Sequence, residues 1–345
     1  MNRTLYRIFR LAVYVSTPVF FASPGFAQYV RTNLVSSVKG EAAHTDTNLV
    51  NGWGIAFFPT GPIWVADNGS GLSTLYDHQG KRLSLVVTIP SPSGVLGSPT
   101  GIVANSTSDF VVTKGGTSAP AFFIFDSEDG SISGWNPSVD PTNAILAVNV
   151  AGAFFTGLTM GSSGGKNFLF AADQAHNVVD VFDANFKLVN SFTDSSLPPG
   201  YSPFNVQNIN GQLYVTLAGF FSGVPGGFVD VFGTDGTFIK TLISQGNLSG
   251  PWGLALAPAD FGPFSNDLLV GNLFNGRINA FDPNTGQFLG QLQNQQGQAI
   301  SIEGLWGLAF GDGSQLNGKT NDLFFTAGPV GYEQGLLGVI SPTGH

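Results

Sequence analysis

Short apolar segments recur along the chain at intervals of about fifty residues. Five of them begin with a Gly-(Ile/Leu)-(Ala/Val/Thr) tripeptide, at Gly54, Gly101, Gly157, Gly253 and Gly307. In a sixth, between Gly157 and Gly253, Asn205 occupies the glycine position, so that successive spacings are 47, 56, 48, 48 and 54 residues. A period of roughly 20 to 50 residues is typical of repeat architectures, and the pattern predicts six equivalent units.

Each unit continues with further β-rich runs. The predicted second strands cover residues 63–66, 110–113, 168–171, 213–216, 268–270 and 323–326. A third strand ends in an aromatic residue with Asp or Gly, and a glycine soon after it (Gly80, Gly130, Gly236 or Gly286) supplies the positive φ of a hairpin into a fourth strand. Four short antiparallel strands per unit indicate an all-β fold, a six-bladed β-propeller.

The two ends of the chain indicate how the ring closes. The sixth unit reaches its third strand near residue 340 and stops at His345 without an outer strand, whereas residues 29–38 precede the first unit and have no blade of their own. An unpaired strand edge invites association with other chains. We therefore predict that the N-terminal strand completes the last blade.

The best-preserved unit reads PWGLALAP at 251–258 and DLLVGNLFNGRINAFDPNTGQFLG at 267–290. This order resembles the NHL repeat, and the ring as a whole resembles an uncharacterised family of secreted bacterial NHL-like propellers. The resemblance implies the fold and no particular activity, because propellers support many unrelated functions on one scaffold.

The first 27 residues have the pattern of a signal peptide. A basic leader with Arg3, Arg7 and Arg10 precedes an apolar run of twelve residues, 11–22, and the small-x-small sequence Gly25-Phe26-Ala27. Such a run is too short to cross a bilayer, which needs about 20 residues, and no later run is long enough. We predict a signal peptide over 1–27, one propeller domain over 28–345, and a secreted or periplasmic product.

Charge and composition exclude several classes of function. The chain has 13 basic and 22 acidic residues, a net charge of −9, and cleavage after Ala27 would remove three of the basic ones. Nucleic-acid binding requires cationic surfaces, so no nucleic-acid partner is expected. The absence of cysteine excludes disulfides, thiolate nucleophiles and Cys-ligated metals.

Propeller ligands tend to bind where the loops entering the innermost strands meet the loops leaving the second strands. Around this mouth the pattern places four polar residues, Asp67, Lys114, Asp173 and Asn272, with Ala218 and Gly328 in the other two units. Asp at such a position also caps turn amides. A binding role and a structural role are therefore both open for Asp67 and Asp173.

Glu303 lies four residues before Gly307, where no other unit has an acid, and Asn205 brings an amide toward the axis. Together with Asp67 and Asp173 they form a candidate ligand set for one divalent cation, calcium or magnesium. Glu303-Gly304-Leu305-Trp306 is similar to the Glu-Gly-Pro-x-Trp start of six-bladed, metal-dependent lactonases, from which Leu305 departs. A structural carboxylate paired with Lys114 or a backbone amide is the alternative.

Two further residue types have candidate roles. Trp53, Trp252 and Trp306 each precede a unit's glycine, and buried packing is favoured for them over stacking on a sugar. Of the four histidines, none of which has metal-ligand spacing, only His176 lies on a predicted mouth loop, where it could serve as a general base.

These observations favour a binding or scaffold module whose mouth recognises a small molecule, a glycan or another exported protein. The candidate ligand-binding residues are Asp67, Lys114, Asp173, Asn205, Asn272 and Glu303, and no residue is assigned a catalytic role. The alternative function is a metal-dependent hydrolase of lactone or ester type, in which the cation polarises a carbonyl and activates water.

Overall fold

A computed structural model describes residues 29–343 as six β-sheets arranged in a ring. The predicted signal peptide, 1–27, lies outside the described residues. The chain enters the ring with β1 (Tyr29–Ser36) and β2 (His44–Thr45). Blade 1 then consists of β3 (Gly52–Ala56), β4 (Ile63–Asp67), β5 (Leu72–Tyr76) and β6 (Arg82–Thr88).

Blade 2 contains β7 (Pro99–Ala104), β8 (Val111–Lys114), β9 (Thr117–Pro120), β10 (Phe123–Ser127), β11 (Ser131–Trp135) and β12 (Ile145–Asn149). Blade 3 contains β13 (Phe155–Ser163), β14 (Lys166–Asp173), β15 (Val178–Phe182) and β16 (Leu188–Phe192). Blade 4 contains β17 (Ser202–Ile209), β18 (Gln212–Ala218), β19 (Phe228–Gly233) and β20 (Phe238–Ser244).

Blade 5 contains β21 (Pro251–Leu256), a 3-10 helix (Gly262–Phe264), β22 (Leu268–Asn272), β23 (Ile278–Phe281) and β24 (Phe288–Gln291). Blade 6 contains β25 (Leu305–Phe310), β26 (Leu323–Ala327) and β27 (Leu336–Pro342). The strands within each blade are antiparallel, and the first strand of each blade is innermost. Each innermost strand contacts the next, and β25 contacts β3, which closes the ring. The predicted all-β, six-bladed propeller is confirmed.

The N-terminal strand closes the last blade, as predicted. β1 pairs antiparallel with β27, from Tyr29 opposite Pro342 to Ser36 opposite Leu336. The buried Tyr29 hydroxyl also donates to the carbonyl oxygen of Phe261 in blade 5, at 2.9 Å. The short β2 pairs in parallel with β1 and adds an outermost strand that the repeat pattern did not predict.

Blade 2 differs from the prediction. The run at 110–113 was predicted to be the second strand, but β8 pairs only with β9 in a separate hairpin, and β10 pairs with the innermost β7. Phe110 and Val112 are buried in the apolar cluster between blades 2 and 3. This run therefore has the apolar pattern of a blade strand, although β8 pairs with β9 instead of with β7. The predicted third strand of this blade is therefore its second, and Gly130 (φ +73°) turns the chain from β10 into β11.

The ring has two faces. We call the face where innermost strands begin and second strands end the top face, and the opposite one the bottom face. Apolar clusters fill the spaces between neighbouring blades, so the rigid core surrounds the axis and the loops of both faces are held at fixed positions. Within residues 29–343 no helix is long and apolar enough to cross a membrane.

Candidate functional site

Four aromatic side chains close the axial channel just below the top face. Trp53 and Trp306 stack with ring centroids 3.5 Å apart, and Trp252 lies edge-on to both, at 5.8 and 5.7 Å. Phe204 completes the cluster against Trp306. These indoles are buried, as predicted, but they pack on one another across the axis rather than between two blades. The channel cavity beside them is only about 30 Å³, room for a single water, so the channel at this depth has no space for a larger molecule.

A chain of hydrogen bonds leads from this aromatic plug across blades 1 and 2. The Trp306 indole N–H donates to Asn51 Oδ1 at 2.9 Å, and Asn51 Nδ2 donates to Asn68 Oδ1 at 2.9 Å. Asn68 Nδ2 then donates to Glu128 Oε1 at 3.0 Å. Burial raises the pKa of Glu128, an effect that the bond from Asn68 partly offsets. The half-buried Glu128 is therefore held in place at the mouth.

The mouth has a polar half and an aromatic half. Asn68, Glu128 and Gln174 occupy equivalent positions at the start of the loops after the second strands of blades 1, 2 and 3. The equivalent positions in blades 4, 5 and 6 hold Gly219, Leu273 and Gly328. Gln174 is 5% exposed, and neither atom of its amide has a hydrogen-bond partner within residues 29–343.

A cavity of about 430 Å³ opens on the aromatic half, between blades 5 and 6. Glu303, Phe274 and Tyr332 line it, together with several glycines. The exposed Glu303 accepts a hydrogen bond from the Val330 backbone N–H on Oε1, at 3.0 Å. The Tyr332 ring lies 5.8 Å from that of Trp306, so the cavity wall is continuous with the plug.

Asp67 ends β4 but does not face the mouth opening. Its carboxylate is fully buried, and neither oxygen has a hydrogen bond from the described residues. Burial raises the pKa of Asp67 well above its ordinary value; the adjacent Thr74 opposes this shift, and the nearby Asp46 adds to it. Asp67 is therefore a carboxyl group that the fold holds most easily in its protonated form.

Asp173 and Asn272 occupy the same position as Asp67 in blades 3 and 5, and both are engaged. Asp173 Oδ1 accepts backbone N–H groups of Phe154, Ala175 and His176 at 3.0 to 3.2 Å, and its Oδ2 lies 2.6 Å from His176 Nδ1. Asn272 Oδ1 accepts the Ser249 N–H at 2.8 Å. These contacts are those of turn caps. His176, half exposed and oriented by Asp173, is the described residue best placed for proton transfer on this face.

Asn205 lines the axial cavity and connects two blades. Its Nδ2 donates to the Trp252 carbonyl at 2.9 Å, and its Oδ1 accepts the Val206 N–H at 2.8 Å. In blade 6 the hydroxyl of Thr326 forms the corresponding bond to the Trp53 carbonyl. Asn205 thus acts as a tie between blades 4 and 5.

Lys114 does not lie at the mouth. It is the last residue of β8, which follows the bottom-face end of β7. Its Nζ is 2.6 Å from Asp140 Oδ2. The prediction followed from taking residues 110–113 as the second strand; the residue that pairs like Asp67 in blade 2 is Ser127. Lys114 therefore cannot pair with Glu303.

The structure does not bring the four predicted metal ligands together. Asp67 lies beside Asp46, Asp173 beside His176, Asn205 on the axis and Glu303 in the open cavity. Within residues 29–343 no three His, Asp or Glu side chains form a group that could hold a metal ion.

A second cavity, of about 510 Å³, lies where the channel opens on the bottom face. Its lining is largely aliphatic, and two of its three polar residues serve the fold, since Thr159 accepts the Asn208 N–H and Asn208 donates to the Met160 carbonyl. The top face therefore holds the richer chemistry.

Sequence reasoning missed Asn51, Glu128, Phe274 and Tyr332. For Glu128 a signal existed, because the correct register of β10 makes it the counterpart of Asn68. Phe274 and Tyr332 lie on loops whose lengths differ between blades, where the repeat carries no positional information.

No protein-family model matches the chain. It is 35% identical over 325 residues to "Uncharacterized protein R648" of Acanthamoeba polyphaga mimivirus, a match that covers 89% of this chain and 78% of that protein. It is 33% identical over 290 residues to "Uncharacterized protein L690" of the same virus, covering 80% and 77%. The chain belongs to the family of these viral proteins. Their names assign no activity, and the relation to bacterial NHL-like proteins stays a prediction.

Solved structures share the fold at low identity. "Streptogramin B lyase structure" matches with a TM-score of 0.57 and 14% identity, covering 93% of this chain and 100% of that one. Virginiamycin B lyase from Staphylococcus aureus matches with a TM-score of 0.55 and 14% identity, covering 91% and 99%. These likenesses support the six-bladed propeller and carry no information on activity.

Proposed function

We propose that this protein is an exported binding module, secreted or periplasmic, that holds a small molecule at the mouth on its top face. The observation that carries this proposal is the division of the mouth, where a cavity of about 430 Å³ adjoins an aromatic plug that is itself hydrogen-bonded to a chain of polar side chains. Ligand sites are typically concave and apolar, with a few fixed polar groups.

Two further features support binding rather than metal-assisted hydrolysis. The closed channel leaves the face as the place for a ligand, and three of the predicted metal ligands, Asp173, Asn205 and Glu303, are engaged in other hydrogen bonds. The loops around the mouth also expose large apolar side chains, such as Phe221 (64%) and Phe274 (48%). Exposed apolar patches of this kind mark interaction sites.

The test compares two double variants. Phe274→Ser with Tyr332→Ser alters the mouth, and Phe238→Ser with Phe288→Ser removes two comparably exposed rings from the outer strands β20 and β24. Wild type and both variants are screened by thermal shift against amphipathic small molecules and soluble oligosaccharides. We expect small-molecule stabilisation that is lost only in the mouth variant.

Two results would contradict the proposal. One is stabilisation that both variants retain, since the mouth would then be dispensable. The other is binding of exported proteins or glycans with no small molecule bound, which would leave the propeller a recognition module for macromolecules.

A further inference from the structure

The cavity on the top face has two aromatic walls that the fold does not bury. Phe274 is 48% exposed and Tyr332 38%, although each belongs to a short loop that is otherwise fixed by backbone hydrogen bonds. The Phe274 N–H donates to the Ser249 carbonyl at 3.2 Å, and the Tyr332 N–H to the Gly328 carbonyl at 3.2 Å. The rings are therefore presented on a defined backbone.

Glu303 supplies the charge of the cavity. Its Oε1 is held by the Val330 N–H, whereas Oε2 has no partner within the described residues and Glu303 takes part in no ion pair there. None of the ten residues lining the cavity is Lys or Arg. Arg31 borders the cavity, where its Nη1 donates to the carbonyl oxygen of the lining residue Ser301. Its Nε donates to Asn33 Oδ1, and its guanidinium lies 5.4 Å from the Phe325 ring centroid, so within the described residues it forms no ion pair with Glu303.

An aromatic wall beside a free carboxylate selects among cations. Calcium and magnesium require six or more oxygen ligands, and the cavity has one carboxylate. A quaternary alkylammonium group presents its charge through carbon-bound hydrogens, which are attracted to the negative face of an aromatic ring as well as to a carboxylate. The net charge of −9 favours the approach of any cation.

We infer that the cavity formed by Glu303, Phe274 and Tyr332 binds the alkylammonium group of a small organic cation. This inference rests on the proposed function and specifies the chemistry of its ligand. Glu303 neutralises the charge, the two rings contact its alkyl substituents, and the polar half of the mouth meets the rest of the molecule.

The experiment uses calorimetric titration of wild-type protein with choline and with 3,3-dimethylbutan-1-ol, which has the same shape without the charge. Choline is expected to bind at least about 10-fold more tightly than the neutral alcohol. Glu303→Gln, which keeps an acceptor for the Val330 N–H, should weaken choline binding by about 10-fold. Glu333→Gln, which removes a charge from the loop of Tyr332 but not from the cavity, should change it by less than about 2-fold.

Phe274→Leu should weaken choline binding by about 5-fold, and Phe288→Leu, on the outer strand β24, should leave it unchanged. In wild-type protein, equal affinity for choline and the neutral alcohol would overturn the inference. The absence of binding of either compound at millimolar concentration would also overturn it. Neither result depends on a variant. A neutral ligand that binds at the mouth and is retained by Glu303→Gln would also overturn it, while leaving the proposed function in place.

Discussion

At the residue scale, the same repeat position holds an aspartate in two blades, and the surroundings of the two carboxyl groups are opposite. Asp67 and Asp173 both end the second strand of a blade and both are fully buried. Asp173 receives three backbone N–H groups and the His176 ring, whereas Asp67 has no hydrogen bond from the described residues. A buried charge is tolerated where it is bonded and costs stability where it is not.

We predict that the same substitution has opposite effects at these two positions. At pH 7 Asp67→Asn should raise the free energy of unfolding by about 1–2 kcal/mol, because Asn needs no proton in order to be buried and Asn272 already occupies this position in blade 5. Asp173→Asn should lower it by about 1–3 kcal/mol, because one acceptor of a bonded set is lost. Urea unfolding measures both.

The pH dependence provides the control. Because the pKa of Asp67 is raised by folding, its carboxyl favours the folded state when protonated, and the penalty grows as the pH rises above the ordinary value near 4. The gain from Asp67→Asn should therefore shrink toward zero near pH 4. A gain that is independent of pH, or a loss at neutral pH, would show that Asp67 makes a stabilising contact.

At the scale of elements, the ring depends on a strand that is distant in sequence from the blade it completes. β1 covers the free edge of β27 and buries Leu34 and Val35 against blades 1 and 6. Its removal would expose both an apolar surface and a row of unpaired backbone groups.

Truncation tests this closure. A chain that begins at residue 41 should melt at least about 10 °C below one that begins at Tyr29, or fail to fold and aggregate. The chain beginning at Tyr29 is the matched control, since it keeps all of β1. Equal melting temperatures, measured by circular dichroism, would mean that β27 does not need its partner.

The observed strands also show how much of the fold could be predicted from the sequence. Five of the six innermost strands followed from their glycines, because each of these glycines sits where a side chain would collide with the neighbouring blade; a Cβ at Gly253 would lie 2.5 Å from the Trp306 carbonyl oxygen. The sixth, which carries Asn205, followed from its place in the same spacing. The sequence pattern did not distinguish the β8–β9 hairpin from a blade strand. Phe110 and Val112 are buried in the same cluster as Ile124 of β10, so both runs carry the apolar pattern of a second strand.

At the scale of the whole molecule, the mouth is assembled from loops of blades that are far apart in sequence. Trp306, Asn51, Asn68 and Glu128 form one hydrogen-bonded chain although 255 positions separate the first two. Repeat position alone located Glu303 and the tryptophans, because both are defined relative to the glycines. Repeat position could not show which of the equivalent Asp and Asn side chains accept hydrogen bonds from their own loops, because this depends on where each loop places its backbone N–H groups.

The whole molecule should be most stable in mild acid. Burial, the largest cause in each case, raises the pKa of Asp126, Asp180 and Asp230 to about 6. A carboxyl whose pKa is raised by folding stabilises the native state fully below its ordinary pKa near 4, and this contribution is lost as the pH rises toward 6. In the opposite direction, the Lys114 ammonium lowers the pKa of Asp140, so that stability also falls when the pH drops below about 4.

We therefore expect the free energy of unfolding to peak near pH 4 and to be lower by at least about 2 kcal/mol at pH 7.5. Urea unfolding across this range measures the profile. Asp230→Asn, which replaces a carboxylate with no hydrogen bond from the described residues, should flatten the decline between pH 4 and 6 without altering the acid limb. A profile that instead rises from pH 5 to 7.5 would mean that these buried carboxyls are ionised and stabilised in the native state, contrary to the burial that raises their pKa values.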